Sequence, residues 1–299
     1  MKTVEGKTAF ITGGANGAGF GMAQVFARNG MNVVIADIRQ DSLDRAMAHF
    51  RDNTAVHAVR LDVSDREAFA RAADEAERVF GNVHVVCNNA GINLFVPIED
   101  CTYNDWDWVM GVNFGGVVNG IQTFVPRMKK HGEGGHIVNT ASMAAFTPSG
   151  LAGIYTASKF AILGLSLALR LTAYQYNIGV SVFCPGLINS SIYESEKVRP
   201  DYLRSPDNTA RSQETMERLP EVHRVGMTPE EVGEKVLAGI RRNDTYIFSH
   251  PEFKEELQEI FDEVLAALPD EKAPAARLEF EKYRRGMVKK AKLEAEGIG

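Results

Sequence analysis

Three side chains in the middle of the chain have the types and spacing of a proton-transfer site. Tyr155 precedes Lys159 by four residues, and Ser142 lies upstream of both. Residues four apart share one face of a helix, and a nearby ammonium favours the phenolate, which lowers a tyrosine pKa from its usual value of about 10. The pair can then act as acid and base, with Ser142 holding an alcohol or carbonyl oxygen beside the phenol. Because the spacing is also typical of a packed tyrosine and a solvated lysine, other features must decide.

A glycine-rich turn near the N-terminus has the layout of a dinucleotide site. Thr8–Thr12 is a short apolar run that predicts a buried strand, and Gly13, Gly17 and Gly19 follow it before a helical pattern over residues 20–29. Glycines let backbone amides approach a phosphate, and the N-terminus of the next helix attracts anions. The spacing differs from the common G-x-G-x-x-G pattern, and glycine-rich turns also occur as simple loops.

An acidic residue follows the second predicted strand. Asp37 comes directly after the apolar run 31–36, close to the offset of about 20 residues at which a carboxylate binds an adenosine ribose. Such a carboxylate accepts hydrogen bonds from the ribose diol and repels a 2′-phosphate, although a strand-end aspartate can also cap a turn. Arg39 offers a guanidinium that could meet a 2′-phosphate, whereas Asn16 is not basic. The pattern favours NAD over NADP.

The elements that carry these residues alternate along the chain. Strands are predicted at residues 8–12, 31–36, 55–60, 83–88, 135–140, 179–184 and 245–249, with helical patterns between them. Val- and Ile-rich strands alternating with helices predict an α/β fold, a doubly wound Rossmann-type parallel sheet with helices on both faces. Ligands of such sheets bind beyond the carboxyl ends of the strands, where Asp37, Asn89, Ser142 and Pro185 fall. Capping boxes predict helix starts at Ser64, Thr228 and Ser249.

Taken together, these motifs resemble the short-chain dehydrogenase/reductase family. The matching motifs are Thr12-Gly13-x-x-x-Gly17-x-Gly19, Asp62-Val63, Asn88-Asn89-Ala90-Gly91, Asn113, Ser142, Tyr155-x-x-x-Lys159 and Pro185-Gly186. They extend over about residues 5–250 in the family's order. Ala18 stands where the family often has isoleucine, and Ser190 where threonine is more usual. The resemblance implies an enzyme that interconverts alcohols and carbonyls with NAD(P).

The resemblance also implies a role for each matching residue. Tyr155 would be the general acid and base, Lys159 would lower its pKa and bind the nicotinamide ribose, and Ser142 would polarise the substrate oxygen. Asn113 would anchor a water that leads from Lys159 to solvent. The implied cofactor-binding residues are Gly13, Asn16, Gly17, Gly19, Asp37, Ile38, Asp62, Val63, Asn89, Ala90, Gly91, Tyr155, Lys159, Pro185, Gly186, Ile188 and Ser190.

Composition indicates a soluble enzyme. The 299 residues carry a net charge of -6, which argues against nucleic acid as a partner. No apolar run is expected to reach the roughly 20 residues of a membrane span, and no signal peptide is expected. Cys87, Cys101 and Cys184 have no metal-ligand spacing, so no metal site is predicted. We expect a cytoplasmic protein and, since family members usually are, a homodimer or homotetramer.

The predicted organisation is one Rossmann-type domain with an appendage. Residues 1–250 form the domain, residues 189–227 form a polar substrate lid, and residues 251–299 form a helical C-terminal extension packed on it. Apolar residues at helical spacing from Phe253 to Leu268 predict a first helix, and a charged helix is expected over residues 275–292. The extension could instead form a subunit contact or a wall of the substrate pocket.

The expected substrate pocket is apolar and aromatic. Its residues are Phe95, Met143, Phe146 and Tyr193, with Leu94, Ala144 and His223 beside them and Tyr202 and Met216 as further lid candidates. This set suits a hydrophobic, aromatic secondary alcohol. The stretches 37–41, 102–108, 124–128 and 135–139 and the long extension resemble the bacterial Cα-dehydrogenases of lignin-derived β-aryl ethers, which oxidise a benzylic hydroxyl with NAD⁺.

Two other functions remain open at this point. Arg39 is compatible with an NADPH-dependent carbonyl or hydroxysteroid reductase of the same fold. A non-catalytic nucleotide-binding regulator is the second alternative. The combination of Asn113, Ser142, Tyr155 and Lys159 argues against the regulator, because a binding module does not need all four.

Overall fold

A parallel sheet of seven strands forms the centre of the computed structural model, which describes residues 1–51, 53–204 and 213–297. The strands are β1 (Thr8–Thr12), β2 (Asn32–Asp37), β3 (Val56–Arg60), β4 (Val83–Asn88), β5 (Gly135–Thr140), β6 (Ile178–Cys184) and β7 (Tyr246–Phe248). Their order is β3-β2-β1-β4-β5-β6-β7, and every neighbouring pair is parallel. All seven predicted strands are confirmed within one residue of their expected bounds.

Helices cover both faces of this sheet. They are α1 (Gly17–Arg28), α2 (Gln40–His49), α3 (Arg66–Phe80), α4 (Tyr103–Met110), α5 (Gly116–His131), α6 (Gly153–Ala173), α7 (Gln213–Arg224), α8 (Pro229–Arg242), α9 (Lys254–Ala266) and α10 (Ala275–Glu296). One apolar cluster joins the sheet to α1, α2 and α8, and another joins it to α3, α5 and the end of α6. The doubly wound fold is therefore confirmed.

Alternation along each strand assigns residues to the two clusters. In β1, Ile11 belongs to the cluster under α1 and α8, whereas Phe10 belongs to the other. The Phe10 ring lies 6.0 Å from that of Phe69 in α3 and 4.8 Å from that of Phe124 in α5. All three phenylalanines are fully buried, so this aromatic cluster fixes α3 and α5 against the sheet.

Helix starts differ from the predictions at several points. The capping box of Thr228 and Glu231 is confirmed. The box predicted at Ser64 is wrong, because Asp65 caps α3 by accepting from Ala68 N and the Ser64 hydroxyl donates to the preceding Asp62 carboxylate. Residues 251–253 form a short 3-10 turn without the side-chain cap expected from Ser249. Helix α1 begins three residues before its expected start, since the Asn16 side chain accepts from Gly17 N.

Helix α6 is long and apolar enough, by length and composition alone, to cross a membrane, contrary to the expectation that no segment reaches that length. Its buried residues recur along one face, which includes Ser158, Lys159, Ser166 and Arg170. These polar side chains bond to other parts of the fold; Arg170, for example, donates to Val180 O in β6 at 2.6 Å. The buried stripe identifies α6 as a helix that packs on the sheet.

The segment predicted as a lid leaves the sheet after β6 and returns at α8. Residues 192–198 and 201–203 form 3-10 turns, and α7 follows after the undescribed residues 205–212. Asn189 N donates to Met227 O at 2.9 Å, which closes the base of the excursion. Arg199 fastens it to α4: its guanidinium lies 2.6 Å from the Asp105 carboxylate and 4.8 Å from the Trp108 ring centroid.

The C-terminal extension contacts the domain mainly at its two ends. Near its start, Phe253 and Leu257 pack against the cluster that includes Met143 and Ile162. Near its end, Ala295 is buried and its carbonyl accepts from Asn243 Nδ2 at 2.7 Å. Between these ends large apolar side chains are exposed, namely Phe261, Val264, Leu265, Leu268, Leu278, Phe280, Tyr283, Met287 and Leu293. Most of the expected apolar face of α9 therefore points away from the core.

A buried imidazole in β5 links folding to pH. Ser181 Oγ donates to Asp244 O, so it accepts from His136 Nε2 at 2.8 Å. His136 Nδ1 is buried with no hydrogen-bond partner among the described residues. Burial lowers the pKa of His136 to about 3, so the ring stays neutral in the folded protein at any mildly acidic pH.

We expect His136 to make the folded state sensitive to acid. The unfolded imidazole protonates near pH 6.5 and the folded one near pH 3, so its contribution to stability is complete above pH 6.5 and is lost as pH falls through this window. The free energy of unfolding should fall by up to about 1.4 kcal/mol per pH unit from this side chain. Urea unfolding at neutral pH and at about pH 5 measures the loss. This loss of unfolding free energy should be smaller in His136→Gln than in the wild type, and unchanged in the exposed control His49→Gln. An equal loss in all three proteins would contradict the expectation.

Candidate active site

A cavity of about 840 Å³ lies beyond the carboxyl ends of the central strands. The turns after β1 to β6 form its floor, and the segment predicted as a lid and Phe253 form its outer wall. Strand order reverses between β1 and β4, and such a reversal opens a crevice because the connecting helices pass to opposite faces. The fold therefore assembles the site from segments that are far apart in sequence.

One end of the cavity has a backbone that only glycine accommodates. Gly13 and Gly17 have φ values of 59° and 49°. A Cβ on Gly13 would lie 2.8 Å from Ala90 Cα, and one on Gly17 would lie 2.7 Å from Ser190 Cβ. Because glycine has no side chain, Gly13 and Gly17 leave space at the N-terminus of α1. The first turn of α1 contains no acidic residue that would repel an anion there. This cradle fits the pyrophosphate of a dinucleotide.

Gly19, which the resemblance implied as a cofactor-binding residue, is not among the residues that line the cavity. A Cβ there would lie 2.1 Å from Gly13 O. The glycine is needed because α1 packs directly against the turn that begins it. The remaining predicted cofactor-binding residues, from Gly13 to Ser190, all line the cavity.

Asp37 ends β2 at the rim of the same cavity. Its carboxylate accepts from Ala15 N at 3.2 Å and from Arg39 N at 3.1 Å. Burial raises the pKa of Asp37 above its ordinary value, and these hydrogen bonds act in the opposite direction. The Arg39 guanidinium points to other carboxylates, with Nη2 2.7 Å from Asp41 Oδ2. An acceptor is thus placed where a ribose diol would be recognised.

Two residues that the sequence analysis did not assign to the site, Thr12 of the glycine-rich motif and His250, hold the cavity's turns in place. Thr12 Oγ1 accepts from Asn89 N at 2.9 Å and from Ala90 N at 3.0 Å, which joins the end of β1 to the turn after β4. His250 Nδ1 accepts from Gly186 N at 3.0 Å, and its Nε2 donates to Leu187 O at 2.9 Å. No local pattern identifies His250, because its partners precede it by about sixty residues.

The three residues that first suggested proton transfer lie together. Ser142 follows β5 and forms a hydrogen bond with the phenol of Tyr155, which is in the first turn of α6. Lys159 Nζ lies 5.2 Å from the Tyr155 ring centroid and donates to Thr140 O at 3.0 Å. Burial raises the pKa of Tyr155, and the Ser142 hydrogen bond acts in the opposite direction. Burial also lowers the pKa of Lys159 to about 8. Desolvation thus opposes the lowering of the phenol pKa that was expected from the ammonium.

Asn113 lies behind these residues and does not line the cavity. It is fully buried in a π-helical turn, residues 111–115, between α4 and α5. Its side chain donates to Ile92 O and Ser158 Oγ, both at 3.0 Å, and accepts from Ile92 N at 2.8 Å. A Cβ on Gly91 would lie 3.4 Å from Asn113 Oδ1 and 3.5 Å from Lys159 Nζ, so Gly91 separates the two groups. Asn113 thereby fixes the backbone beside Lys159.

The substrate side of the cavity is only partly as expected. Phe95, Met143, Ala144, Tyr202 and His223 line it. Phe146 and Tyr193, both predicted for the pocket, do not line the cavity, and neither does Leu94, which is buried in the cluster around α4. The turn at residues 143–145 directs Phe146 towards Phe248 and Phe261, and Tyr193 packs on the ring of His223. The side chain of Met216 lies outside the described residues.

Apolar residues that the sequence analysis did not assign to the pocket complete its wall. Trp108, Val198, Leu203 and Phe253 all line the cavity. Trp108 lies in the stretch 102–108 that resembles the Cα-dehydrogenases, and Phe253 starts the apolar pattern of the extension. Both residues therefore belong to sequence patterns that the sequence analysis used for purposes other than the pocket. Lys159 and Arg39 are the lysine and arginine among the described lining residues, and both are already paired with protein atoms.

Comparisons with known proteins agree with this geometry. The family model for short chain dehydrogenases matches residues 7–200. The C alpha-dehydrogenase of Sphingobium sp. (strain NBRC 103272 / SYK-6) is 42% identical over 267 residues, which is 89% of this chain and 87% of that protein.

Solved structures give the same result in three dimensions. A short-chain dehydrogenase from Novosphingobium aromaticivorans superposes with a TM-score of 0.85 and 44% identity, covering 99% of this chain and 100% of the other. A short chain dehydrogenase/reductase from Burkholderia phymatum in complex with NAD has a TM-score of 0.85 and 34% identity, covering 92% and 100%. The chain therefore belongs to the short-chain dehydrogenase family of oxidoreductases, whose members use a nicotinamide dinucleotide.

Proposed function

We propose that this enzyme oxidises a hydrophobic, aromatic secondary alcohol to its ketone with NAD⁺. The observation that carries the proposal is one cavity that joins the glycine cradle and Asp37 to the Ser142–Tyr155–Lys159 cluster under an apolar wall. The benzylic Cα hydroxyl of a lignin-type β-aryl ether is the substrate we favour. The similarity to the Sphingobium C alpha-dehydrogenase supports this choice.

The proposed chemistry assigns one proton transfer to the cluster. A nicotinamide dinucleotide held by the residues from Gly13 to Ser190 would supply the hydride acceptor, and the protein's own residues remove the hydroxyl proton. Ser142 orients the hydroxyl, because its Oγ is held between the Ala144 amide at 3.1 Å and the Tyr155 phenol. Tyr155 accepts the proton as a phenolate and returns it when a ketone is reduced. Lys159 is only 3% exposed and its amine lies beside that phenol, so its charge stabilises the phenolate.

The walls of the cavity support the choice of substrate. Phe95, Trp108 and Phe253 present aromatic surface, and the lining cations Arg39 and Lys159 are engaged by protein oxygens. A carboxylate or phosphate substrate would therefore meet no free cation among the described lining residues. An uncharged aromatic alcohol fits this surface because the burial of its rings supplies the binding energy.

The extension supports a further proposal, a homo-oligomer. Helix α9 has five acidic residues and one basic residue, whereas α10 has seven basic and four acidic residues. Both helices expose large apolar side chains, including Leu265 and Met287. Complementary charge around apolar patches suits a two-fold contact in which α9 of each copy lies on α10 of the other. We also propose a cytoplasmic location, which suits the free thiols of Cys87, Cys101 and Cys184.

Turnover with a panel of alcohols tests the proposed substrate class. A bulky β-aryl ether dimer with a benzylic hydroxyl should be oxidised with NAD⁺ at a kcat/KM at least about tenfold above that of a small aliphatic alcohol. Reduced-nicotinamide absorbance with NAD⁺ and NADP⁺ in parallel is the measurement. Preference for a hydroxysteroid, or for NADP⁺, would replace the proposal with the reductase alternative.

The role of Tyr155 is tested by removing its hydroxyl. Tyr155→Phe should lower kcat by about 10²- to 10⁴-fold, the usual contribution of a general acid or base, while NADH still binds. Tyr176→Phe is the matched control, because Tyr176 is half exposed in the 3-10 turn that follows α6. Turnover is read by absorbance and binding by NADH fluorescence. A variant that retains wild-type kcat would refute the assignment, and loss of turnover with loss of NADH binding would also contradict it.

The oligomer proposal is tested by a charge in the apolar patch. Leu265→Glu should halve the mass measured by size-exclusion chromatography with light scattering, because a buried unpaired charge destabilises the contact. Phe160→Glu on α6, also an exposed apolar residue, is the control and should leave the mass unchanged. If Phe160→Glu dissociates the oligomer and Leu265→Glu does not, the subunit contact involves α6 and the proposed contact of α9 with α10 is wrong.

A further inference from the structure

An ion pair connects the turn after β2 to the lid across the cavity. Arg39 Nη1 lies 3.3 Å from Glu194 Oε2, and both residues line the cavity with Asp37. Their side chains are 27% and 29% exposed, so water screens the pair only in part. The two residues are separated by 155 positions in sequence. The contact exists because the lid comes down over the end of the cavity that Asp37 marks.

Glu194 and Asp41 together accept hydrogen bonds from all three nitrogens of the Arg39 guanidinium. Asp41 accepts from Arg39 Nε at 3.1 Å and from Nη2 at 2.7 Å, and Glu194 accepts from Nη1. Every nitrogen of the guanidinium therefore faces a carboxylate. An arginine near this position is the group that accommodates the 2′-phosphate of NADP in related folds, and it does so through the same N–H donors.

Hydrogen bonds on either side of Glu194 attach the lid to the rest of the domain. Asn16 Nδ2 donates to Ser191 Oγ at 2.8 Å, and Asn93 N donates to Ser195 Oγ at 3.0 Å. Hydrogen bonds from Lys197 and Arg39 lower the pKa of Glu194, so its carboxylate is ionised at neutral pH. Its charge is thus fixed beside Arg39 rather than free to move away into solvent.

We propose that Glu194 is a specificity-determining residue that rejects 2′-phosphorylated dinucleotides by occupying Arg39. The inference rests on the proposed use of NAD and adds a second carboxylate, supplied by the lid, to the discrimination that Asp37 makes from β2. A 2′-phosphate near Arg39 must displace Glu194 and meets the charges of Asp37 and Asp41 as well. A ribose diol requires no such displacement.

The test uses cofactor binding and needs no turnover. Dissociation constants of NADH and NADPH are measured by fluorescence titration, and those of ADP-ribose and 2′-phospho-ADP-ribose by calorimetry. In Glu194→Gln the affinity for both 2′-phosphorylated ligands should rise about fivefold, while that for NADH and ADP-ribose changes by less than about twofold.

Two further variants identify the cause of that gain. Arg39→Gln added to Glu194→Gln should abolish it, because the freed guanidinium is then absent. Lys197→Gln is the matched control: it removes the other cation that contacts Glu194, at 2.6 Å, and leaves the Arg39 pair in place. Its NADH-to-NADPH affinity ratio should equal that of the wild type.

The outcomes separate the inference from the proposed function. An unchanged affinity ratio in Glu194→Gln, or a gain that persists without Arg39, overturns the role of Glu194 while the use of NAD stands. A wild-type protein that binds NADPH better than NADH overturns both. If Glu194→Gln lowers the affinity for all four ligands equally, Glu194 only stabilises the position of the lid, and this result would also overturn the inference.

Discussion

The reversal of strand order between β1 and β4 is the constraint on which the rest of the structure depends. In a parallel sheet every strand delivers its carboxyl end to one edge, and the reversal leaves the space between these two ends uncovered by helices. The glycine cradle follows β1, the turn of Asn89 follows β4, and Ser142 follows β5. Residues distant in sequence therefore converge because the topology leaves one opening, and the Thr12 hydrogen bonds across β1 and β4 hold its two sides together.

Helix α6 shows how this opening is supplied with the lysine and tyrosine to which we assign proton transfer. Its composition is apolar enough to suggest a membrane span, yet its buried stripe contains Ser158, Lys159 and Arg170. A buried ammonium is costly unless it is bonded, and the Thr140 carbonyl and the nearby phenol of Tyr155 offset that cost only in part, since burial still lowers the pKa of Lys159 to about 8. Packing of α6 on the sheet thus places a titratable amine beside a buried phenol, at the cost of desolvating both groups.

Local sequence patterns were sufficient to predict the sheet and to name most of the residues that line the cavity, for physical reasons. Runs of β-branched residues specify strands directly, and the ends of those strands carry Asp37, Asn89 and Ser142. The patterns failed where the direction of a side chain depends on irregular backbone. The turn at residues 143–145, for example, directs the Phe146 ring away from the pocket. They also failed where a partner is remote. Gly19 serves packing against Gly13, and His250 and Glu194 act through contacts that no local window contains.

The segment predicted as a lid is held against the domain by ion pairs of unequal strength. Arg199 and Asp105 are 1% and 0% exposed, and breaking such a buried pair costs about 3–5 kcal/mol because a charge is left uncompensated. Arg39 and Glu194 are partly solvated, and pairs of that kind contribute about 1 kcal/mol or less. The contact at Glu194 is therefore the weaker of the two attachments of this segment, and the contact at Arg199 is the stronger. The Arg39–Glu194 contact lies beside Asp37 in the cavity lining, so the proposed discrimination between cofactors depends on the more weakly held end of this segment.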